Sequence, residues 1–369
     1  MKILSGIDIP FNPFGGSPII CDDWYSNLPK DIEVLFLTMP PTTDKWWKMP
    51  NVQFLETKKI RDPKLYPDYI KELNEEVAEI IKEFQPDVIH MQHLNFGLSR
   101  SFVDVATTIP KIGICHGTDT QVAKQFDFFR NNLVEIADKS DVLVFPAELM
   151  ANDFFSVYGK EKEYEVIPHG LPTNAFSKHT VHKPGETLRF LYAGRLNHYK
   201  GADIAVEAMS CIDFPATLDV IGDEDETGYK SKLEQMIKRL KIEDKVLLQT
   251  KISREQLFNK FSHYDAILIP SRSLEAFSLT AIEAQARGLV VIYGNGGGIK
   301  NVVGDSGICI DDNTAFTLSS IIKRIQLERS VLNSYRELGY KNAQKYKLEG
   351  QILALLKLSQ KVIDRNSSL

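Results

Sequence analysis

Residues Phe190–Met209 read FLYAGRLNHYKGADIAVEAM. Phe190–Ala193 is a short apolar run. From Gly201 to Met209 the apolar residues recur at helical spacing. Between the two stand Gly194-Arg195 and Lys200-Gly201. A buried strand that turns through a polar loop into a helix is the building unit of a parallel sheet covered on both faces. The strand end delivers Arg195. Lys200 sits at the helix start, where unpaired N–H groups and the helix dipole favour anions. Two cations so placed suit a diphosphate. The competing reading is a solvated Arg and Lys flanking an ordinary polar loop.

The same unit recurs in both directions along the chain. Strands are expected towards the N-terminus at Lys2–Ile7, Glu33–Leu37, Asp87–Met91, Lys111–Cys115, Asp141–Phe145 and Glu165–Ile167. Tyr69–Phe84 and Thr120–Ala137 read as helices among them. A second set follows at Arg189–Ala193, Thr217–Ile221, Lys245–Leu248, Asp265–Ile269, Leu289–Ile292 and Gly307–Ile310. Its helices are expected at Gly201–Met209, Tyr229–Leu240, Arg254–Ser262 and Ser278–Arg287. The polar stretch Ser177–Thr187 has the composition of a linker. From Thr314 to about Asp364 a helical tail in two parts is expected. The fold class is α/β, with two doubly wound domains facing one another. Such a pair places ligands at strand C-termini in the cleft between the domains.

Length and composition agree. The chain has 369 residues, 43% hydrophobic and 25% charged, a globular composition with room for two or three domains. No apolar run reaches the ~20 residues that span a bilayer. The N-terminus reads as a first strand and not as a secretion signal. The four cysteines, Cys21, Cys115, Cys211 and Cys309, lie far apart. They show no metal or redox spacing and point to the cytoplasm. Residues 1–180 hold 18 Lys and Arg against 26 Asp and Glu, and the remainder 26 against 23. An acidic first half argues against nucleic acid and anionic lipid as partners.

A second constellation is PSRSLEAFSLTAIEA, Pro270–Ala284. Glu275 follows a strand on a loop. Glu283 lies two turns into the next helix among apolar residues, where a carboxylate needs donors or costs several kcal/mol. A ribose diol supplies such donors; an i+4 pair with Arg287 is the alternative. The N–H groups of Ala276, Phe277, Ser278 and Leu279 at the helix start suit sugar hydroxyls or phosphate. Glycines after strands, Gly222 and the run from Gly294, let backbone approach a ligand, and are also common in plain turns.

The order GR-x4-KG, E-x7-E and a Gly-rich loop over residues 188–312 resembles the family 4 retaining glycosyltransferases of GT-B fold. The first half resembles that family through Gly15-Gly16, DVIHMQH, CHGTD and VIPHG. The resemblance implies two Rossmann-like domains. Residues 1–178 form the acceptor domain, with a last helix at about 348–369 crossing back to it, and residues 188–347 form the donor domain. The implied activity is hexosyl transfer from a nucleoside-diphosphate sugar, UDP in particular, to a hydroxyl. It needs neither metal nor cofactor. Arg195 and Lys200 would hold the diphosphate, Glu283 the ribose, and Ile252 would lie near the base. Glu275 and the N–H groups after it would hold the sugar. Gly15 and Gly16 would admit the donor phosphate and acceptor, and His116 would face the sugar.

The chain departs from the family pattern at three places. Ala276-Phe277-Ser278 replaces a common Gly-Phe-Gly, Asn301 replaces a Glu, and His169 replaces an Asn. These bear on the donor sugar more than on the diphosphate. His90 and His93 have a metal-pair spacing with no third ligand nearby. Asp119 is an acceptor contact or a helix N-cap. Asp22 and Asp23 read as a solvated helix face. Other classes fit less well: a two-domain small-molecule binding protein, a nucleotide-sugar epimerase, or a non-catalytic transferase homologue. The acceptor is expected to be small and polar, or a glycan or glycolipid.

Overall fold

The structure, a computed structural model, describes residues 1–13, 15–60, 62–177, 185–272 and 277–367. Its contacts divide the chain into two compact units. One comprises Met1–Gly170 with Leu348–Leu369, the other Leu171–Lys347.

The first unit opens with β1 (Lys2–Pro10), α1 (Gly16–Tyr25), β2 (Glu33–Met39), β3 (Val52–Phe54) and α2 (Tyr66–Phe84). It continues through β4 (Val88–Gln92), α3 (Gly97–Val105), β5 (Lys111–Ile114), α4 (Thr118–Gln125), α5 (Asp127–Asp138), β6 (Val142–Phe145), α6 (Glu148–Tyr158) and β7 (Tyr164–Val166). The strands form one sheet in the order β3-β2-β1-β4-β5-β6-β7. Every named pairing is parallel. The order reverses between β1 and β4, so their C-terminal ends flank the crevice where such sheets take ligands.

The second unit contains β8 (Leu188–Ala193), α7 (Ala202–Ser210), β9 (Ala216–Ile221), α8 (Tyr229–Leu240), β10 (Val246–Gln249), α9 (Arg254–Phe261) and β11 (Ala266–Ile269). There follow α10 (Leu279–Ala286), β12 (Val290–Gly294), α11 (Ile299–Val303), β13 (Ile308–Ile310), α12 (Ala315–Leu327) and α13 (Val331–Ala343). Its parallel sheet runs β10-β9-β8-β11-β12-β13 and reverses between β8 and β11. Two apolar layers cover it. Phe190, Leu218 and Leu268 point into one, and Leu191, Ile267 and Val291 into the other. Successive side chains of a strand face opposite ways, so near-continuous apolar strands supply both layers. The last helix, α14 (Leu348–Ser367), packs in the first unit. Its Lys361 and Arg365 pair with Glu163.

Several expectations need correction. Residues 171–177 belong to the second unit, because Arg287 Nε donates to Ala175 O (2.7 Å) and Leu171 lies in that unit's core. The helix expected over Thr120–Ala137 is two helices. Phe126 between them is extended, with φ −137° and ψ 121°. The tail has three long helices, not two parts. The short strand β3 went unrecognised because its three residues are largely exposed and carry little apolar signal. Asp22 is buried, not solvated. Its Oδ1 accepts from the N–H groups of Lys48 (2.7 Å) and Met49 (3.0 Å). The larger part of the linker, residues 178–184, lies outside the described residues. No helix among the described residues is long and apolar enough to cross a membrane.

Candidate active site

In the second unit the loops after β8, β9, β10 and β11 emerge at one edge of the sheet, because the strands are neighbours and parallel. Arg195 follows β8 on the first loop. Its Nη1 donates to Asp225 Oδ2 at 2.8 Å, and Asn197 Nδ2 donates to Asp225 Oδ1 at 2.7 Å. Lys200 closes a single 3₁₀ turn, His198–Lys200, immediately before α7. Asn197 caps that turn by accepting the Lys200 N–H on its side chain. Gly201 must be glycine: its φ is +70°, and a Cβ would overlap the carbonyl oxygen of Pro270. Gly222, after β9, would in the same way drive a Cβ into the Gly194 carbonyl. Close packing alone therefore accounts for this glycine.

Arg272, which the sequence reading left without a role, fastens these loops. Nη1 and Nη2 donate to the two oxygens of Asp203 at 2.7 and 2.9 Å, and Nη1 also donates to His198 O at 2.9 Å. A two-pronged guanidinium–carboxylate pair fixes orientation as well as distance. It ties the end of β11 to the first turn of α7. Only position hinted at this: Asp203 falls two residues after Gly201, and Arg272 two after Pro270.

Glu283 sits in α10 and is buried. It does not pair with Arg287, which reaches instead for the carbonyls of Asn174 and Ala175. Arg254 Nε, at the start of α9, donates to Glu283 Oε1 at 2.6 Å. The partner that compensates the buried carboxylate thus comes from another helix. Ile252, half-buried, packs on the same core just before α9. Phe277 is buried against Tyr346 with ring centroids 5.5 Å apart. Ser278 takes a left-handed conformation, φ +68°, ahead of Leu279 and α10. Glu275 and Ala276 lie outside the described residues.

In the first unit Gly15, His93 and His116 follow β1, β4 and β5, three adjacent parallel strands. Gly15 has φ +95° and precedes α1, with Gly16 as its first residue. His93 Nε2 meets Ser17 Oγ at 2.9 Å, and its Nδ1 lies 3.5 Å from Asp119 Oδ1. The His93 backbone is left-handed, φ +65°, an uncommon state for a side chain of this size. His116 lies between His93, tilted against it with ring centroids 4.6 Å apart, and His169, stacked at 6.0 Å. Phe96 and Trp24 extend the column at either end. Burial, with His93 and His169 alongside, pushes the His116 imidazole well below its usual range. Burial alone takes His169 and His90 down to about 3. All three are neutral rings at pH 7.

Asp119 is not a helix cap. It lies inside α4, whose N-cap is Gly117, and its Oδ2 accepts the His116 backbone N–H at 3.0 Å. Burial opposes its ionisation, but His93 and the His116 N–H hold its carboxyl well below the usual carboxylate range. His90 is not a metal partner of His93, because both of its ring nitrogens are occupied within the protein, by Tyr25 and Ser359. Among the described residues no cluster of three metal-ligating side chains occurs. The acidic triplet Asp223-Glu224-Asp225 accepts from Lys251 N–H, from the Gly228 and Lys230 N–H groups, and from Arg195, respectively.

Two parallel-sheet units, each reversing its strand order at a switch point, are the architecture of the GT-B class. The description "Glycosyl transferases group 1" matches residues 175–346, and "Glycosyltransferase Family 4" matches residues 25–175. The chain belongs to the family 4 glycosyltransferases. It is 26% identical over 206 residues to a D-inositol 3-phosphate glycosyltransferase of Xylanimonas cellulosilytica, covering 51% of this chain and 49% of that one. The chain spans about half the length of the curated relatives it matches. Sucrose-phosphate synthase from Thermosynechococcus elongatus shares the fold, with a TM-score of 0.84, 18% identity, and coverage of 99% of this chain and 100% of that one. Anabaena HepE, solved with UDP and glucose, has a TM-score of 0.77 at 17% identity, both chains being covered fully (100%).

Proposed function

We propose that this chain is a retaining hexosyltransferase that moves a sugar from a nucleoside diphosphate, UDP in particular, to a hydroxyl of a small polar acceptor. The observation that carries the reading is the loop Gly194–Gly201, with Arg195 at its start and Lys200 against the N-terminus of α7. Its shape is held by the Arg272–Asp203 clamp. The UDP in the HepE structure supports a uridine nucleotide. The relatives' name, which specifies D-inositol 3-phosphate, supports a small polar acceptor.

In this reading Arg195 and Lys200 meet the diphosphate as the sugar–phosphate bond breaks. Negative charge then grows on the departing phosphate, so both cations contribute more in the transition state than in the ground state. Glu283, held by Arg254, takes the ribose hydroxyls. His116, a neutral ring, shares a hydrogen bond with a ligand hydroxyl in the first unit. No metal or cofactor takes part, and a cytoplasmic location goes with the reading.

Titration with UDP, followed by an assay of sugar transfer and hydrolysis, tests it. Arg195→Ala and Lys200→Ala are each expected to lower kcat/KM by about 10²–10⁴. Near-normal turnover in either variant refutes the diphosphate assignment. Activity is expected to survive EDTA; loss restored by Mg²⁺ or Mn²⁺ refutes metal independence. UDP binding with no transfer or hydrolysis from a panel of nucleotide sugars favours a non-catalytic homologue instead.

A further inference from the structure

His90 and Gln92 lie two residues apart on β4 and are both completely buried. A strand alternates its faces, so the two side chains share one side of the sheet. Ser5, paired across from His90 in β1, completes a polar layer with Tyr25. Burial keeps Tyr25 as a phenol and His90 as a neutral imidazole. The protons that orient the Gln92 amide follow from the hydroxyls at the two ends of the layer, each of which bonds to a backbone carbonyl that can only accept.

The Ser359 hydroxyl, on α14, donates to Leu355 O at 2.8 Å. With that proton spent on Leu355, its oxygen, 2.9 Å from His90 Nε2, accepts, and His90 carries its proton on Nε2. The bare Nδ1 of His90 takes the Tyr25 proton at 3.1 Å. The Ser5 hydroxyl has one proton and two acceptors in reach, His90 O at 2.9 Å and Tyr25 Oη at 3.0 Å, and with either one its oxygen still takes a donor. Gln92 meets both oxygens, Ser5 Oγ at 3.1 Å and Tyr25 Oη at 2.8 Å. Only the amide nitrogen satisfies them. Turned over, the amide would set its oxygen against two oxygens that have no proton left to give. The Gln92 Oε1 thus faces His116 Nε2, at 2.8 Å. An oxygen there requires a proton on Nε2. The His116 Nδ1 is buried and meets no hydrogen-bond partner among the described residues.

We propose that Gln92 is a positioning residue: its locked amide holds His116 as the Nε2–H tautomer, so that Nδ1 presents a lone pair to a hydroxyl of a bound ligand. The ligand contact rests on the transferase reading above; the tautomer does not. A neutral imidazole in water exchanges its proton between nitrogens. Here Ser5, Tyr25, His90 and the far helix α14 fix the choice through Gln92.

Long-range ¹H–¹⁵N correlation spectra of the full chain labelled on histidine read the tautomer directly, with the His116 signals assigned by their loss in His116→Asn. The wild type is expected to show protonated Nε2 and bare Nδ1 at pH 7.5. Gln92→Leu removes the acceptor and should give a mixture of tautomers, with kcat/KM lower by about tenfold, the weight of one hydrogen bond. A wild-type His116 protonated on Nδ1 overturns the proposal, as does a Gln92→Leu protein with an unchanged tautomer. If Gln92→Leu fails to fold, the wild-type spectrum decides alone, since a proton on Nδ1 there is fatal by itself. If no sugar transfer is found in any protein, the transferase reading fails while the spectra still judge the tautomer.

Discussion

The guanidinium of Arg195 lies 2.8 Å from the carboxylate of Asp225, so the cation assigned to the diphosphate already holds an anion of the protein. Both groups keep solvent access, with 62% and 33% of their side-chain surface exposed. The pair is therefore weak, worth ~0.2–1 kcal/mol, and exchangeable. A diphosphate would replace Asp225 as the partner of Arg195. Asp225→Asn is expected to tighten UDP binding about two- to fivefold, with the gain shrinking at high salt. Calorimetric titration at low and high ionic strength measures this. Weaker binding in Asp225→Asn would show that Asp225 positions Arg195 and does not compete for it.

Glu283 and Arg254 give a prediction that separates binding from stability. Glu283→Gln keeps an oxygen for Arg254 but loses the charge that favours ribose hydroxyls as donors. UDP-sugar KM should rise with kcat nearly intact, the mark of a contact that changes little along the reaction. Arg254→Ala instead weakens the hold on a buried carboxylate and should cost about 1–3 kcal/mol of stability. Urea unfolding of the two variants, compared with UDP titrations, distinguishes the effects. Equal UDP affinity in Glu283→Gln would remove the ribose assignment.

Gly201→Ala places a Cβ against the Pro270 carbonyl at φ +70°. The left-handed backbone costs about 1–2 kcal/mol for an ordinary residue, and overpacking adds roughly 1–3. The midpoint of thermal unfolding of the second unit should drop by about 4–20 °C at ~2–4 °C per kcal/mol. An unchanged midpoint would mean that the β11 loop moves aside freely.

The buried histidines set a pH dependence. His90 and His169 titrate at about 3 in the fold, and His116 well below its usual range. In the unfolded chain they protonate near pH 6.5. Below that pH the unfolded state binds more protons, so stability is present above ~6.5 and lost as the pH falls towards 3. The loss is at most ~1.4 kcal/mol per pH unit for each histidine. Asp119, held low in the fold, adds to the loss only below about pH 4. Urea midpoints at pH 7.5, 6 and 5 should fall in that order, and His90→Phe should flatten the slope. A flat profile from pH 7.5 to 5 would contradict the burial of these rings.

The strands of both sheets were legible, usually within one or two residues, because fully covered parallel strands are apolar on both sides. β3 was not, since three half-exposed residues carry no such signature. The break between α4 and α5 was equally silent. Phe126 suits a helix by composition and is extended because the chain turns there. Asp22 illustrates a different failure. It sits on a helix that reads as amphipathic, and its burial depends on Lys48 and Met49, 26 and 27 residues away.

The sequence by itself determined the two parallel-sheet units, the strand ends that carry Arg195 and His116, and the family resemblance. These follow from apolar runs, glycines and short spacings, which act locally along the chain. Tertiary structure decided the partners. Asp225 reaches Arg195 across 30 residues, Arg254 reaches Glu283 across 29, and Ser359 reaches His90 across 269. A hydrogen bond depends on distance and direction in space, and separation along the chain fixes neither. Which proton His116 carries is therefore set by the packing of α14 and β1 around Gln92, and no window of sequence contains it.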